Sequence, residues 1–158
     1  MAIVQVGPWT IDADVSATRK VYASTPSPGS PRDCFCQGCR NFLRLSDHAL
    51  IPAFHRLLIA LGIDPHKAAE IFEVTPPDHG AIVYGGWFHC LGSILSGPAP
   101  WPETRWFRLN QDWTLTVRYD DELAIYGFAH AHLVEVEFRA RLPWVLAERV
   151  EWVEWACG

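Results

Sequence analysis

Residues 81–95, AIVYGGWFHCLGSIL, are apolar on both parities of an extended chain. A strand with two apolar faces needs cover on both, so this segment belongs at the centre of a sheet. The rest of the chain supplies neighbours for it. Trp9, Ile11, Ala13 and Val15 alternate with Thr10, Asp12 and Asp14, the period of a half-buried strand. The run from Thr18 to Ala23 is read as a second strand pairing with it. TRWFRL and WTLTVRY flank Asn110-Gln111-Asp112, a hairpin signal, and Trp113, Leu115, Val117 and Tyr119 share one face of the second arm. In AHLVEVEFRARL, His132, Val134, Val136, Phe138 and Ala140 lie on one face. Glu135, Glu137, Arg139 and Arg141 lie on the other, which reads as solvated.

Helical periodicity is confined to the middle of the chain. PAFHRLLIALG has Pro52 in the first turn, Phe54, Leu57, Leu58 and Leu61 as an apolar stripe, and Gly62 to close the end in a left-handed conformation. DPHKAAEI offers Asp64 as a cap and Pro65 at the start of a shorter helix. Helices come early and strands dominate later. The pattern predicts an α+β fold, an antiparallel sheet of about five to seven strands with one or two helices inserted after a cysteine-rich loop. At 158 residues a single domain, 1–158, is expected. The tail ERVEWVEWACG fits either a short amphipathic helix or a further strand.

Charge and composition narrow the function classes. A net charge of −5 and the lack of any Lys/Arg run leave nothing to neutralise a line of phosphates, so no nucleic-acid partner is expected. No stretch has signal-peptide character, and none approaches the ~18 apolar residues of a membrane span. The expectation is a cytoplasmic protein without a membrane partner. Thiols stay reduced in that compartment, where clustered cysteines bind metal or do redox chemistry more often than they form disulfides. The eight tryptophans suit core packing first. Apolar strand faces also leave room for a homodimer interface.

Such a cluster lies between a proline-rich loop and the first helix. STPSPGSPRD, residues 24–33, leads into CFCQGC, which holds Cys34, Cys36 and Cys39. Cys36 and Cys39 have C-x-x-C spacing, which lets two sulfurs meet one ion, and Gly38 sits where the turn calls for an unusual backbone angle. Cys34, two residues earlier on an extended chain, projects to the same side as Cys36. One Zn²⁺ can take all three, and structural zinc wants a fourth ligand. His89 and Cys90 are candidates that face opposite ways on one strand; His48 and His55 are nearer in sequence. His89 is favoured. Three alternatives stay open: Cu(I) on three thiolates, a thiol–disulfide couple of Cys36 and Cys39 at a helix start, and buried inert thiols.

The remaining constellations carry less. His130 and His132 share a strand face and could grip a metal, or sit at the rim of the core; His79 follows a turn. Asp120, Asp121 and Glu122 read as a solvated turn. Gly85-Gly86 lies inside the strand-like run, where it permits a bulge or close backbone approach, and is no phosphate loop. Ser93 and Ser96 lack the setting of a hydrolase nucleophile.

CFCQGCRNF (34–42), LGIDP (61–65), YGGWFH (84–89) and LPWVL (142–146) occur in this order and spacing. Together they resemble a family of small uncharacterised bacterial proteins, over residues ~33 to 146. The resemblance implies that Cys34, Cys36, Cys39, Arg40, Asn41, Trp87 and His89 belong to one pattern, from which Cys90 departs. It implies no reaction.

The leading expectation is a small zinc-binding domain, with Cys34, Cys36, Cys39 and His89 as ligands, acting as a binding or adaptor protein for an unknown protein or small molecule. Arg40 and Asn41 are the first candidates for partner contact; an ion pair and a helix cap are their structural alternatives. Two enzyme readings compete. One is a metal-dependent hydrolase with an open zinc position and Glu70, Glu73 or Asp33 as base; the other is a thiol oxidoreductase using Cys36 and Cys39.

Overall fold

The computed structural model describes residues 1–27, 34, 36–46, 51–75, 80–98, 106–120, 124, 127–128 and 133–148. The chain opens with strands β1 (Ala2–Val6) and β2 (Trp9–Ala13), joined at Gly7, whose φ of 55° makes the tight turn. Helix α1 (Val15–Ser24) follows, then α2 (Gln37–Ser46), α3 (Pro52–Leu61) and the short strand β3 (Glu70–Glu73). Strands β4 (Ala81–Ser96), β5 (Phe107–Arg108), β6 (Trp113–Tyr119) and β7 (Leu133–Pro143) complete the fold. The seven strands form one antiparallel sheet in the order β1-β2-β4-β7-β6-β5, with β3 also paired to β4. The fold is α+β, and β4 is its spine.

One face of the sheet builds the core. Phe138 on β7 is surrounded by Phe42 from α2, Phe54 from α3, Phe88 from β4 and Trp113 from β6, with ring centroids 5.7, 5.5, 5.9 and 5.5 Å away. These rings bury the faces of α2 and α3 against the sheet, and burial of that kind is the main driving force of the fold. Gly62 ends α3 with φ 82°, and its N–H reaches back to the Leu58 and Ile59 carbonyls, the left-handed closure expected from the sequence.

Two segments differ from expectation. Residues 18–23 are helical, not extended. Asp14 accepts from the Ala17 N–H at 3.0 Å as an N-cap, and Thr18 and Tyr22, four apart, are the buried face of α1. This helix fills a gap along β4 between its β2 and β3 partners. The Thr18 hydroxyl accepts from the Leu91 N–H at 3.0 Å, and the Tyr22 hydroxyl contacts both the N–H and the carbonyl of His89 at 3.1 and 3.0 Å. Side chains thus replace a missing strand, which alternation alone does not reveal. Residues 64–69 form a turn instead of a helix: Asp64 accepts from the His66 N–H at 3.0 Å, and the chain then passes directly into β3.

The far face of the sheet corrects a third expectation. Its charges are not all solvated: Glu135 is 1% exposed, and His89, opposite it on β4, is 0% exposed. Gly85 and Gly86 make no bulge, since the β4–β7 register runs unbroken from 81 to 91. They allow close approach: a Cβ at Gly85 would enter the Phe72 ring, and one at Gly86 would lie 2.8 Å from Ile71 Cδ1 and 3.0 Å from Phe138. Among the described residues no helix is long and apolar enough to cross a membrane.

Candidate metal centre

Cys36 starts α2. Its carbonyl accepts the first helical hydrogen bond, from the Arg40 N–H at 3.1 Å. Its sulfur accepts from the Cys39 N–H at 3.3 Å, the place that a serine or aspartate oxygen takes in an ordinary N-cap. Cys34 repeats the pattern one step earlier, with Sγ accepting from the Cys36 N–H at 3.4 Å. Cys39, Phe42 and Leu45 are the inward stripe of α2, so packing of the helix against the sheet fixes Cys39. The helix runs down to Arg44, a cation in its last turn that suits the dipole.

The three sulfurs lie within 4.8 Å of one another, and all three cysteines are free thiols. Cys34 is half-buried, Cys36 exposed and Cys39 buried. The cluster is therefore dry on its inner side and open to water on its outer side. Burial raises the Cys36 thiol above its usual range and raises Cys39 further, and the neighbouring sulfurs push the same way for Cys39. Three thiolates this close repel one another unless a cation stands among them. N–H groups aimed at two of the sulfurs offset part of that charge, as they do around thiolate-bound metals. Such a group can hold one metal ion.

The sequence-selected residues divide between several places. Cys34, Cys36 and Cys39 come together; His89 does not join them. Tyr84, five residues before His89 on β4, faces α2, and its hydroxyl donates to the Gly38 carbonyl at 3.1 Å. The odd separation sends His89 to the far face, where its Nε2 is 3.4 Å from Glu135 and its ring meets Phe128 edge-on. Cys90 shares the Tyr84 face but is buried at 0% exposure, and burial pushes its thiol up to about 12. His48, His79, His130, His132, Asp33, Asp121 and Glu122 lie outside the described residues, as does the tail from 149.

Asn41 is a tether and not a contact surface. It is 0% exposed; its amide donates to the Tyr84 hydroxyl and the Pro143 carbonyl, both at 3.1 Å, and accepts from the Val145 N–H at 2.8 Å. Placed inside α2, it caps no helix. It fastens the cysteine helix to the end of β7. Arg40 does reach the surface and pairs with Glu148 at 3.0 Å, with both side chains nearly half exposed. Gly38 has no positive φ among the left-handed glycines. A Cβ there would meet the flexible end of the Glu73 side chain, which would have to move aside.

Two features were only partly legible in the sequence, which named Glu73 as one of three possible bases without selecting it. Glu73 pairs with Tyr84 across β3 and β4, which points its side chain toward the first turn of α2. Only strand register carries this information. The other is a charged row on the far face, buried at Glu135 and His89 and part-exposed at Arg118, Asp120 and Glu137. Arg118 approaches Glu135, Glu137 and Asp120 at 2.8, 3.2 and 3.3 Å, and the His89 ring and Trp87 Nε1 next to it are buried without hydrogen-bond partners. Burial lifts Glu137 above the usual carboxylate range, with Arg118 opposing. The shared parity of Glu135 and Glu137 was visible in the sequence; their alignment with Arg118 and His89, which follows from strand register, and the burial of Glu135 were not.

No family model, curated protein or solved structure compared with the chain matches it.

Proposed function

We propose that this protein is a small metal-binding domain that holds one zinc ion on Cys34, Cys36 and Cys39. The observation that carries the reading is three free sulfurs within 4.8 Å, two of them capped by backbone N–H groups. Thiolate ligands of this number favour zinc over the harder divalent ions, and a soft Cu(I) ion is the competing occupant. The ion joins Cys34, at the end of the proline-rich segment, to the helix that Asn41 and Tyr84 fasten to the sheet. Metal binding of this type contributes directly to folding. The domain acts as a cytoplasmic binding or adaptor protein, and Arg40, exposed beside the centre, contacts its partner.

A thiol oxidoreductase is the weaker reading. Reactive cysteines have lowered pKa values, whereas burial raises both Cys36 and Cys39. The test is elemental analysis of protein purified without added metal. The expected result is about one zinc per chain, lost on Cys36→Ser. A metal-free, stable, fully reduced protein would overturn the reading.

A further inference from the structure

We propose, resting on the metal reading above, that Glu73 serves the fourth corner of the centre without entering it. It accepts the hydrogen bond of a water bound to the metal and takes that water's proton.

The geometry separates Glu73 from the other acids considered for this role. Glu70, Ile71, Phe72 and Glu73 alternate across β3, so Glu73 and Ile71 face α2 while Glu70 pairs with Trp87 on the far side. The Glu73 carboxylate rests on the Cα of Gly38, between Cys36 and Cys39 in the chain. Among the described residues it makes no hydrogen bond and no ion pair. Its side chain is exposed to solvent on one side and lies against the first turn of α2 on the other.

Direct ligation is the less suitable role. Among the described residues, no histidine, aspartate, glutamate or further cysteine joins the three sulfurs at ligand spacing, and Glu73 stays outside that group. Three thiolates on a divalent cation already leave the centre one negative charge in excess. A fourth anion would add to it in a half-buried place, whereas water adds none and gives the carboxylate a donor. Zinc held by three thiolates, with a glutamate that is not a ligand, is a competent arrangement for activating water in other enzymes. A metal held by the three cysteines would supply an acidified water; Glu73 would take its proton, with the O–H electron pair staying on oxygen, and would be placed to return that proton to a leaving group.

The test is a cobalt(II) titration of the reduced, metal-free full-length chain, compared with Glu73→Gln and Gly38→Ala. The alanine methyl displaces only the flexible end of Glu73, so it moves the carboxylate without removing its charge. The expected result is unchanged sulfur-to-cobalt charge-transfer intensity in all three proteins. Both variants should bind about 10- to 100-fold more weakly, the usual effect of losing an outer-shell partner. The pH-dependent step in the cobalt d–d bands should move to lower pH in both, because the carboxylate that opposes a further negative charge on the water is removed or withdrawn. Equal affinity and an unmoved pH step would overturn the proposal while leaving the metal reading intact. A change in the d–d bands of Glu73→Gln at every pH would also overturn it, by making Glu73 a ligand. If the parent chain binds no cobalt, both readings fall.

Discussion

Cys36 carries two duties, as helix cap and as metal ligand. Cys36→Ser therefore separates them: serine is a good N-cap, so α2 should persist while zinc is lost, and circular dichroism alongside metal analysis checks this. Burial holds the Cys36 and Cys39 thiols protonated in the metal-free protein. Metal must displace those protons, so affinity should fall as pH falls, measurable as chelator-competed zinc release between neutral and acid pH. His89 is predicted to behave differently from a ligand. His89→Ala should leave zinc content unchanged and lower stability by roughly 1–3 kcal/mol, because Glu135 is left buried with one neighbour fewer. Loss of zinc from that variant would contradict its placement on the far face. The cysteine cluster was legible in the sequence because its members fall within six consecutive residues, 34–39. The choice of Glu73 among the three acids named was not, since Glu73 meets Gly38 only through the pairing of β3 with β4 and the docking of α2.

At the scale of elements, α2 is the link between centre and sheet. Asn41→Leu should cost about 1–3 kcal/mol for each buried group it leaves unpaired, chiefly the Val145 N–H, and denaturant unfolding measures it. Zinc affinity should drop with it, because α2 is then held less firmly. The strands read well from their patterns: β2, β6 and β7 lie where alternation put them and the long central β4 where two apolar faces put it, and the hairpin turn uses Asn110, which accepts from the Asp112 and Trp113 N–H groups at 2.8 Å. Helix α1 was misread because Val15, Ala17, Val21 and Ala23 share one parity as readily as Thr18 and Tyr22 share a helical face. Its position, plugging a gap in the ladder, is a tertiary fact. Helix α2 was hidden by the cysteines, which read as a loop motif although Cys39 begins an apolar stripe.

For the whole molecule, the ring cluster around Phe138 joins three strands and two helices. Phe138→Ala should cost about 3–5 kcal/mol, comparable with much of a small domain's stability. An alkaline limit should also appear. Cys90 has a usual value of 9.0 and is pushed up to about 12 by burial. Above pH 9 the unfolded chain loses this proton while the fold retains it, so stability is fully present below the unfolded value and falls as pH rises toward the folded one. Buried Tyr22 and Tyr84 shift the same way. Denaturation midpoints taken across that range should decline, and less steeply in Cys90→Ala. The class of fold was legible because a two-sided apolar strand admits few surroundings. Which face of β7 its charges would occupy was legible too; that the far face is buried around Glu135 and His89 depends on what packs over it.

Zinc-edge X-ray absorption on the protein as purified measures the centre itself. The account predicts about three sulfur neighbours near ~2.3 Å and one lighter oxygen or nitrogen neighbour. A zinc shell made only of oxygen and nitrogen, or a shell of four sulfurs, would contradict it.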